Sequence, residues 1–200
     1  MSSTDTTSTG ILLYGPPAAG KDTVTAALTA LGAFCQFQRL KVGSGKSAGY
    51  RMGTAEHLAV LEKDDGVVYS NERYGNVYVV DRPGLAQTFA SGAVPVLHLG
   101  QVAGVEAVQA RFSARWLTVL LWCSKETTAR RSAGRGDADT AARLEAWDAT
   151  LADLSTSPDF CWHVVIDTDR CSADAAAERI AAASQGAPPA MPLSYWMQEA

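Results

Sequence analysis

A short glycine-rich segment near the N-terminus constrains the fold of this chain more than any other stretch. An apolar run over residues 10–14 leads into Gly15, and four residues separate that glycine from the pair Gly20-Lys21, where a stretch of helical composition begins. This spacing lets backbone N–H groups converge on phosphate oxygens at a helix N-terminus, while the lysine ammonium reaches the outer phosphates. The segment therefore predicts a strand, a phosphate-binding loop and a helix.

Position 22 departs from the usual form of such a loop. Ser or Thr normally follows the lysine and binds Mg²⁺, whereas this chain has Asp22 followed by Thr23. A carboxylate is a good ligand for Mg²⁺, but next to a polyphosphate it requires the metal between the two negative groups. The expected metal ligand is therefore Asp22, or Thr23 in its place. The residues expected to bind the nucleotide in this segment are Gly15, Ala18, Ala19, Gly20, Lys21, Asp22 and Thr23.

The composition limits the class of protein. A chain of 200 residues with 47% hydrophobic content is large enough to bury one core without disulfides. Its net charge of −4 provides no broad basic field, so a long nucleic acid is not an expected partner. Four cysteines without metal-binding spacing, a start unlike a signal peptide and no membrane-length apolar run predict a cytoplasmic protein with reduced thiols and no membrane partner. We expect a monomer or a homodimer.

Apolar runs with strand character alternate with helical stretches along most of the chain. This order predicts an α/β fold: a P-loop NTPase core with a parallel sheet flanked by helices. The alternation breaks between residues 34 and 80, which indicates an inserted subdomain. We expect one domain over residues 10–184 between a disordered tail, 1–9, and a C-terminal tail, 185–200. The predicted strands are 10–14, 34–40, 67–70, 76–80, 93–99, 116–122 and 162–166, and the predicted helices are 22–31, 54–63, 83–91, 125–132, 139–154 and 172–183.

Two basic segments are candidates for anion binding. The first runs from Arg39 to Arg51 and carries Lys41 and Tyr50 among glycines, which is typical of an anion-binding loop or of a solvated turn. The second covers residues 131–143, where glycines separate three arginines. Their guanidinium groups could fold over a phosphate as a small lid and exclude water, although a helix with surface arginines is the alternative. The three lid arginines are Arg131, Arg135 and Arg143.

Polar residues follow two of the predicted strands. The strand over residues 93–99 ends with His98 and is followed by Gln101, at the sheet edge where open α/β sheets bind ligands. His98 could read the substrate or act as a base, but a lone histidine at a strand end is more often structural. Asp81 follows another strand, where it could hold Mg²⁺ through water or cap the helix that begins at Pro83.

These motifs together resemble the guanylate kinase family over roughly residues 10–183. The family has a phosphate-binding loop, an acceptor loop with arginines and a tyrosine, a glutamate near a Gly-Asn-x-Tyr run, and a lid with Arg-Gly. The matching positions in this chain, besides the phosphate-binding loop, are Arg39, Lys41, Tyr50, Glu72, Gly75-Asn76 with Tyr78, Arg131, Arg135-Gly136 and Arg143.

The resemblance implies an ATP- and Mg²⁺-dependent kinase that phosphorylates a small phosphorylated substrate such as GMP. On this basis Lys21 and the lid arginines would hold the transferring group, Glu72 would accept hydrogen bonds from guanine, and Asp167 with Thr168 would lie near the adenine of ATP. The acceptor phosphate would be held by Arg39, Lys41, Tyr50 and Tyr78.

Two features differ from the family and leave the acceptor open. The acceptor loop is shorter and lacks the family's run of threonines and arginines. The strand that ends in acidic residues in guanylate kinases ends here with His98, so a second carboxylate for guanine is missing. The Gly-Lys-Asp-Thr form of the loop is also similar to that of ribose 1,5-bisphosphate phosphokinases, whose acceptor is a sugar phosphate. A kinase of an unphosphorylated metabolite and a non-catalytic guanylate-kinase-like binding module are the further alternatives.

Overall fold

A computed structural model describes residues 8–45, 47–73, 75–134, 140–186 and 188–196 of the chain. The strands are β1 Thr9–Tyr14, β2 Phe34–Gln36, β3 Leu40–Val42, β4 Arg51–Gly53, β5 Val67–Arg73, β6 Asn76–Asp81, β7 Val94–Leu99, β8 Arg115–Trp122, β9 Cys161–Trp162, β10 Val164–Asp167 and β11 Met191–Pro192. The helices are α1 Lys21–Ala30, α2 Ala55–Lys63, α3 Arg82–Ala90, α4 Val102–Arg111, α5 Lys125–Ala133, α6 Thr140–Thr156, α7 Ala173–Gly186 and α8 Leu193–Trp196.

The central sheet has five strands in the order β10-β8-β1-β7-β2, and every pairing is parallel. Strand β1 is in the middle, where Leu13 stands opposite His98 of β7 and Val119 of β8. All five strands therefore end at the same edge, at which the chain leaves β1 for the glycine loop. The predicted α/β fold with a parallel sheet is confirmed.

Helices cover both faces of this sheet because the side chains of β1 alternate between them. Ile11 and Leu13 pack in one core with α1 and α7, including Leu28 and Ile180. Residues on the opposite face pack in a second core with α3, α4 and α6; Tyr14 belongs to this face. All four named aliphatic side chains and Tyr14 are fully buried, so the loop after β1 rests on a rigid base.

The inserted subdomain is a separate four-stranded sheet in the order β4-β3-β6-β5, with β3 and β4 parallel and the other pairs antiparallel. Leu40, Leu61 and Val79 form its small core beneath α2. The helix begins where the sequence indicates, because the Thr54 hydroxyl accepts a hydrogen bond from the backbone N–H of His57.

Several predicted boundaries were wrong. Strand β5 continues to Arg73, so Glu72 is a strand residue and not part of a turn. The segment 34–40 forms parts of two strands in different sheets, because β2 pairs with β7 whereas β3 pairs with β6. At the start of the domain, Thr9 is paired with Arg115 and belongs to β1; residues 1–7 of the predicted tail lie outside the described residues.

The C-terminal tail also contains ordered structure. Met191–Pro192 pairs antiparallel with Cys161–Trp162, and the Trp196 indole N–H donates to the Trp162 carbonyl oxygen at 3.3 Å. In the part of the chain that the structure describes, no helix has the length and apolar character needed to cross a membrane.

Candidate functional site

The loop between β1 and α1 has the backbone geometry of a phosphate cradle. Gly15 has φ +151°, and a Cβ there would lie 2.0 Å from the Leu121 carbonyl oxygen, so only glycine fits. Gly20 adopts a left-handed conformation with φ +85° and precedes α1 without a side-chain cap. The first N–H groups of α1 therefore face the loop, as an anion-binding helix N-terminus requires.

Lys21 is folded over this loop. Its Nζ donates to the Gly15 and Pro16 carbonyl oxygens at 2.7 and 2.8 Å. Burial lowers the pKa of Lys21 from 10.5 to about 8, while the nearby Asp22 carboxylate acts in the opposite direction. The phosphate oxygens of a bound polyphosphate would neutralise the buried Lys21 ammonium. Lys21 is therefore placed to hold such oxygens.

Asp22 and His98 face each other at the start of α1. The Asp22 Oδ1 lies 3.4 Å from His98 Nδ1, and His98 Nε2 is 2.7 Å from the Thr25 hydroxyl. The Asp22 side chain is 84% exposed, whereas that of His98 is only 17% exposed. Burial, with a further contribution from the Lys21 charge, lowers the pKa of His98 to about 4, so the imidazole is neutral at pH 7.

A cavity of about 720 Å³ opens from the loop toward the inserted sheet. It is bounded by the glycine loop and α1, by the inserted sheet, by the end of β7, and by α6. The lining residues are Gly15, Pro17, Ala18, Gly20, Lys21, Asp22, Arg39, Tyr50, Tyr69, Asn71, Glu72, Arg73, Tyr78, His98, Leu99, Gly100, Gln101, Arg143, Ala146, Ala149, Thr150 and Asp153. The fold thus joins one phosphate-binding loop and one cationic wall in the same space.

The inserted sheet contributes aromatic and cationic groups to this cavity. The rings of Tyr50 and Tyr78 are 5.1 Å apart, and the Arg39 guanidinium lies over Tyr78 at 5.2 Å. Arg39 also donates to the Asn71 side-chain oxygen at 3.2 Å. Lys41, by contrast, is 3% exposed and donates to the Ser44 carbonyl oxygen beside the two rings, so it supports the cavity wall from behind.

The far end of the cavity is built around two side-chain contacts. The Tyr69 hydroxyl donates to the Gln101 side-chain oxygen at 2.7 Å, and burial raises the pKa of Tyr69. The Asp153 carboxylate accepts from the Tyr14 hydroxyl and from the Val102 backbone N–H, both at 2.8 Å. Asp153 therefore anchors α6 to the central sheet and to the start of α4.

The two predicted lid arginines that the structure describes have different surroundings. Arg143 lines the cavity from α6. Arg131 instead donates to the Ala18 carbonyl oxygen at 2.9 Å and to the Thr168 carbonyl oxygen at 2.7 Å, so it joins the loop to the end of β10. Arg135 lies outside the described residues.

Other predicted site residues lie outside the cavity lining. Ala19 is fully buried within the core, and Thr23 is on the exposed side of α1. Asp81 accepts from the Gly84 backbone N–H at 2.8 Å and pairs with Arg51, so its alternative role as the cap of α3 is confirmed. Asp167 and Thr168 end β10, where the Thr168 hydroxyl contacts Arg131 and the Trp122 carbonyl oxygen.

Several lining residues were missed from the sequence. Tyr69, Asn71 and Arg73 alternate along β5 and become recognisable only once the strand is extended past residue 70. The lining face of α6 could have been recognised from the sequence, because its positions follow Arg143 at helical spacing. Those positions are 146, 149, 150 and 153, and the two alanines among them leave space for a ligand.

The loop and its surroundings fit a nucleotide with a magnesium ion. Among the described residues, no cluster of three or more His, Cys, Asp or Glu side chains could hold a metal ion. Mg²⁺ commonly takes only one or two carboxylates and completes its coordination with phosphate oxygens and water. Asp22 is an exposed carboxylate next to the phosphate cradle, so it can provide that ligand.

The strand, glycine loop and lysine-bearing helix on a parallel sheet define the class of this fold, which is a P-loop core. No family model and no curated protein matches the sequence. Among solved structures, guanylate kinase from Anaplasma phagocytophilum is similar with a TM-score of 0.62 and 17% identity, over 91% of this chain and 87% of that one. That likeness confirms the fold.

Two further structures match more weakly. The YorR protein from Bacillus subtilis, in complex with phosphorylated GDP, has a TM-score of 0.45 and 15% identity over 88% of this chain and 95% of that one. Shikimate kinase from Acinetobacter baumannii, in complex with shikimate, has a TM-score of 0.45 and 17% identity over 88% of this chain and 92% of that one. At these TM-scores neither structure informs the site.

Proposed function

We propose that this protein is an ATP-dependent kinase that transfers a phosphoryl group to a small phosphorylated acceptor, with GMP as the first candidate. One observation carries the proposal: a cavity of about 720 Å³ is lined at once by the lysine-bearing loop and by Arg39, Tyr50 and Tyr78 of the inserted sheet. A donor at the loop and an acceptor phosphate at the inserted sheet would therefore meet within one cavity, as in-line transfer requires.

The proposed mechanism relies on positioned positive charge. Phosphoryl transfer passes through a loose transition state with charge spread over the phosphate oxygens, and it needs cations more than a base. Lys21 and the backbone N–H groups of the loop would hold the β and γ phosphates of ATP, and Arg143 would approach from α6. Asp22 would be the protein ligand of Mg²⁺, which would supply further positive charge for the transferring group.

Recognition of the acceptor is assigned to the opposite wall. Arg39 and the hydroxyl groups of Tyr50 and Tyr78 provide the donors that a phosphate monoester needs. Glu72, which lines the cavity, would accept hydrogen bonds from the guanine edge. This assignment makes Arg39 the main determinant of affinity for the acceptor phosphate and Glu72 the main determinant of base preference.

A sugar bisphosphate is the second candidate acceptor. The end of β7 places His98, Gly100 and Gln101 on the cavity, so this wall offers an imidazole and an amide where a reader of guanine would need a second carboxylate. Amide and imidazole groups also bind sugar hydroxyls. Ribose 1,5-bisphosphate is therefore tested beside the nucleotides.

The test is a screen of the purified protein with ATP and Mg²⁺ against GMP, dGMP, AMP, CMP, UMP and ribose 1,5-bisphosphate, followed by ³¹P NMR of the products. Lys21→Ala is the blank, and Lys63→Ala is the matched control on an exposed helix end. We expect the wild type and Lys63→Ala to phosphorylate the same acceptor, and Lys21→Ala to phosphorylate none.

Preferential turnover of GMP that Glu72→Gln reduces at least about tenfold would support guanine recognition. Turnover of the sugar bisphosphate alone would select the second candidate. If ATP binds and no phosphorylated acceptor is turned over, the proposed acceptor class is wrong.

A further inference from the structure

P-loop enzymes usually divide the binding of Mg²⁺ between two elements. A Ser or Thr hydroxyl comes from the helix just after the loop lysine, and a carboxylate comes from the end of another strand. In this chain the first position is Asp22, and β7, one of the two strands next to β1, carries His98 one residue before its end. The acidic group is thus on the helix and an imidazole is on the strand.

The tertiary structure brings these two positions together. Strand β7 is the immediate neighbour of β1, and His98 stands in register with Leu13, whose side chain packs on the face covered by α1. The His98 ring contacts Thr25, one turn into that helix, at 2.7 Å. His98 therefore occupies the place from which a strand carboxylate would face the metal of a bound metal-nucleotide complex.

The proton arrangement of this pair follows from the groups themselves. A carboxylate oxygen only accepts hydrogen bonds, so the His98 Nδ1 that lies 3.4 Å from Asp22 Oδ1 is best placed as an N–H group. His98 Nε2 then accepts from the Thr25 hydroxyl. In this tautomer Thr25 holds the ring at Nε2, and Nδ1–H is the donor available to the Asp22 carboxylate.

We propose that Asp22 and His98 have exchanged the usual roles of these two positions. Asp22 supplies the protein carboxylate to the metal of the metal-nucleotide complex, and His98 is a positioning residue that restrains the Asp22 side chain through Nδ1–H. The inference rests on the proposed function only in requiring that the loop binds a metal nucleotide; it is independent of the acceptor. Carboxylate and histidine partners of this kind commonly tune metal sites.

This assignment accounts for two features that a structural role of His98 leaves unexplained. Asp22 has an 84% exposed side chain at the cavity and would add negative charge beside the polyphosphate unless a cation lay between them. His98 lines the same cavity at a sheet end, where an apolar residue would pack as well if the ring served the core alone.

The experiment measures Mn²⁺ binding to the protein–ADP complex by EPR, with Mn²⁺ as the probe for the divalent metal. The test variants are Asp22→Ser, His98→Ala, His98→Asn and the double variant Asp22→Ser/His98→Asp, which restores the usual arrangement. Two matched controls are Asp174→Ser, an acidic residue in the first turn of α7, and His57→Ala on α2. ADP affinity in EDTA and circular dichroism are measured on the same samples.

We expect Asp22→Ser to weaken Mn²⁺ binding by about 100-fold and His98→Ala by about 10-fold, within the range typical of direct and outer ligands. His98→Asn keeps a side-chain N–H donor and should remain within about threefold of the wild type, because an amide can still orient the carboxylate. The double variant should regain at least about tenfold over Asp22→Ser, whereas the two controls should match the wild type.

The exchange is wrong if the double variant binds Mn²⁺ no better than Asp22→Ser, or if His98→Ala binds it as the wild type does. A nitrogen coupling from His98 in the pulsed EPR spectrum would make the ring a direct ligand and would also overturn the positioning role. These outcomes are read only from variants that still bind ADP in EDTA. Failure of the wild type to bind ADP would instead contradict the proposed function.

Discussion

At the scale of single residues, burial decides what the side chains around the loop can do. Lys21 donates to two loop carbonyl oxygens, and burial lowers its pKa to about 8. His98 is neutral at pH 7 because it is buried beside the same ammonium group. Perturbed pKa values of this kind, at the wall of a cavity, are typical of functional sites.

The loop requires glycine at Gly15 and at Gly20 for different reasons. Both have positive φ, but a Cβ at Gly15 would meet the Leu121 carbonyl oxygen at 2.0 Å, whereas a Cβ at Gly20 has no atom within 4 Å. We predict that Gly20→Ala costs about 1 kcal/mol of unfolding free energy from backbone strain. Gly15→Ala should cost about 1–3 kcal/mol more and abolish ATP binding. Urea denaturation and calorimetric titration with ATP measure both, and equal effects would contradict the clash.

His163 predicts a pH dependence of stability. Its Nδ1 accepts from the Thr118 backbone N–H at 3.0 Å, and burial together with Arg115 lowers the pKa of His163. The unfolded chain therefore binds a proton at a higher pH than the folded chain, so the contribution is present above about pH 6.5 and is lost as the pH falls below it.

The matched variant is His163→Asn, which keeps an acceptor near the Nδ1 position but does not titrate. We expect the wild type to lose more stability than the variant between pH 7.5 and pH 5, as measured by urea midpoints. Parallel midpoints over this range would show that His163 makes no contribution.

At the scale of elements, the glycine loop is held by α5, which lies more than a hundred residues further along the chain. Arg131 on α5 donates to the Ala18 carbonyl oxygen in the loop and to the Thr168 carbonyl oxygen at the end of β10. The planar guanidinium reaches the two carbonyl groups from two separate nitrogen atoms, whereas the single nitrogen of a lysine would have to reach both from one point. The first residue of the segment predicted to be a lid thus supports the loop.

We predict that Arg131→Lys weakens ATP binding by about tenfold, which corresponds to about 1.4 kcal/mol. Arg130→Lys is the control, since Arg130 on the same helix donates to the Thr127 hydroxyl within α5. Calorimetric titration of both variants with ATP makes the comparison. An unchanged affinity for Arg131→Lys would mean that the loop keeps its form without this bridge.

At the scale of the whole molecule, two sheets with different topologies share one cavity. The central sheet is parallel and supplies the loop, while the inserted sheet is mixed and supplies Arg39 and the tyrosines. A ligand that contacts both sheets binds the folded chain and not the unfolded one, so it stabilises the molecule as a unit.

We predict that Mg²⁺ and ATP at about 100 times the dissociation constant raise the unfolding free energy by about 2.7 kcal/mol, or the melting temperature by about 5–10 °C. Lys21→Ala should lose this shift and Lys63→Ala should retain it. Calorimetric melting curves provide the measurement. An equal shift for wild type and Lys21→Ala would place nucleotide binding elsewhere.

The sequence by itself determined the loop, the parallel sheet and most helices of the central unit. These features depend on residues close together in the chain: the spacing from Gly15 to Lys21, the apolar strands, and local caps such as Asp81. Such local structure can be predicted from the sequence because the few residues that form each pattern also form the strand, loop or cap itself.

Only the tertiary structure decided which side chains reach the cavity. The sequence predicts the same role for Arg131 and Arg143, yet Arg131 donates to the loop carbonyl of Ala18 whereas Arg143 lines the cavity. Lys41 is buried behind the two tyrosine rings and is not among the lining residues, whereas Asp153 lines the cavity from α6. The physical reason is that the direction of a side chain depends on packing between segments far apart in the chain, which local patterns do not encode.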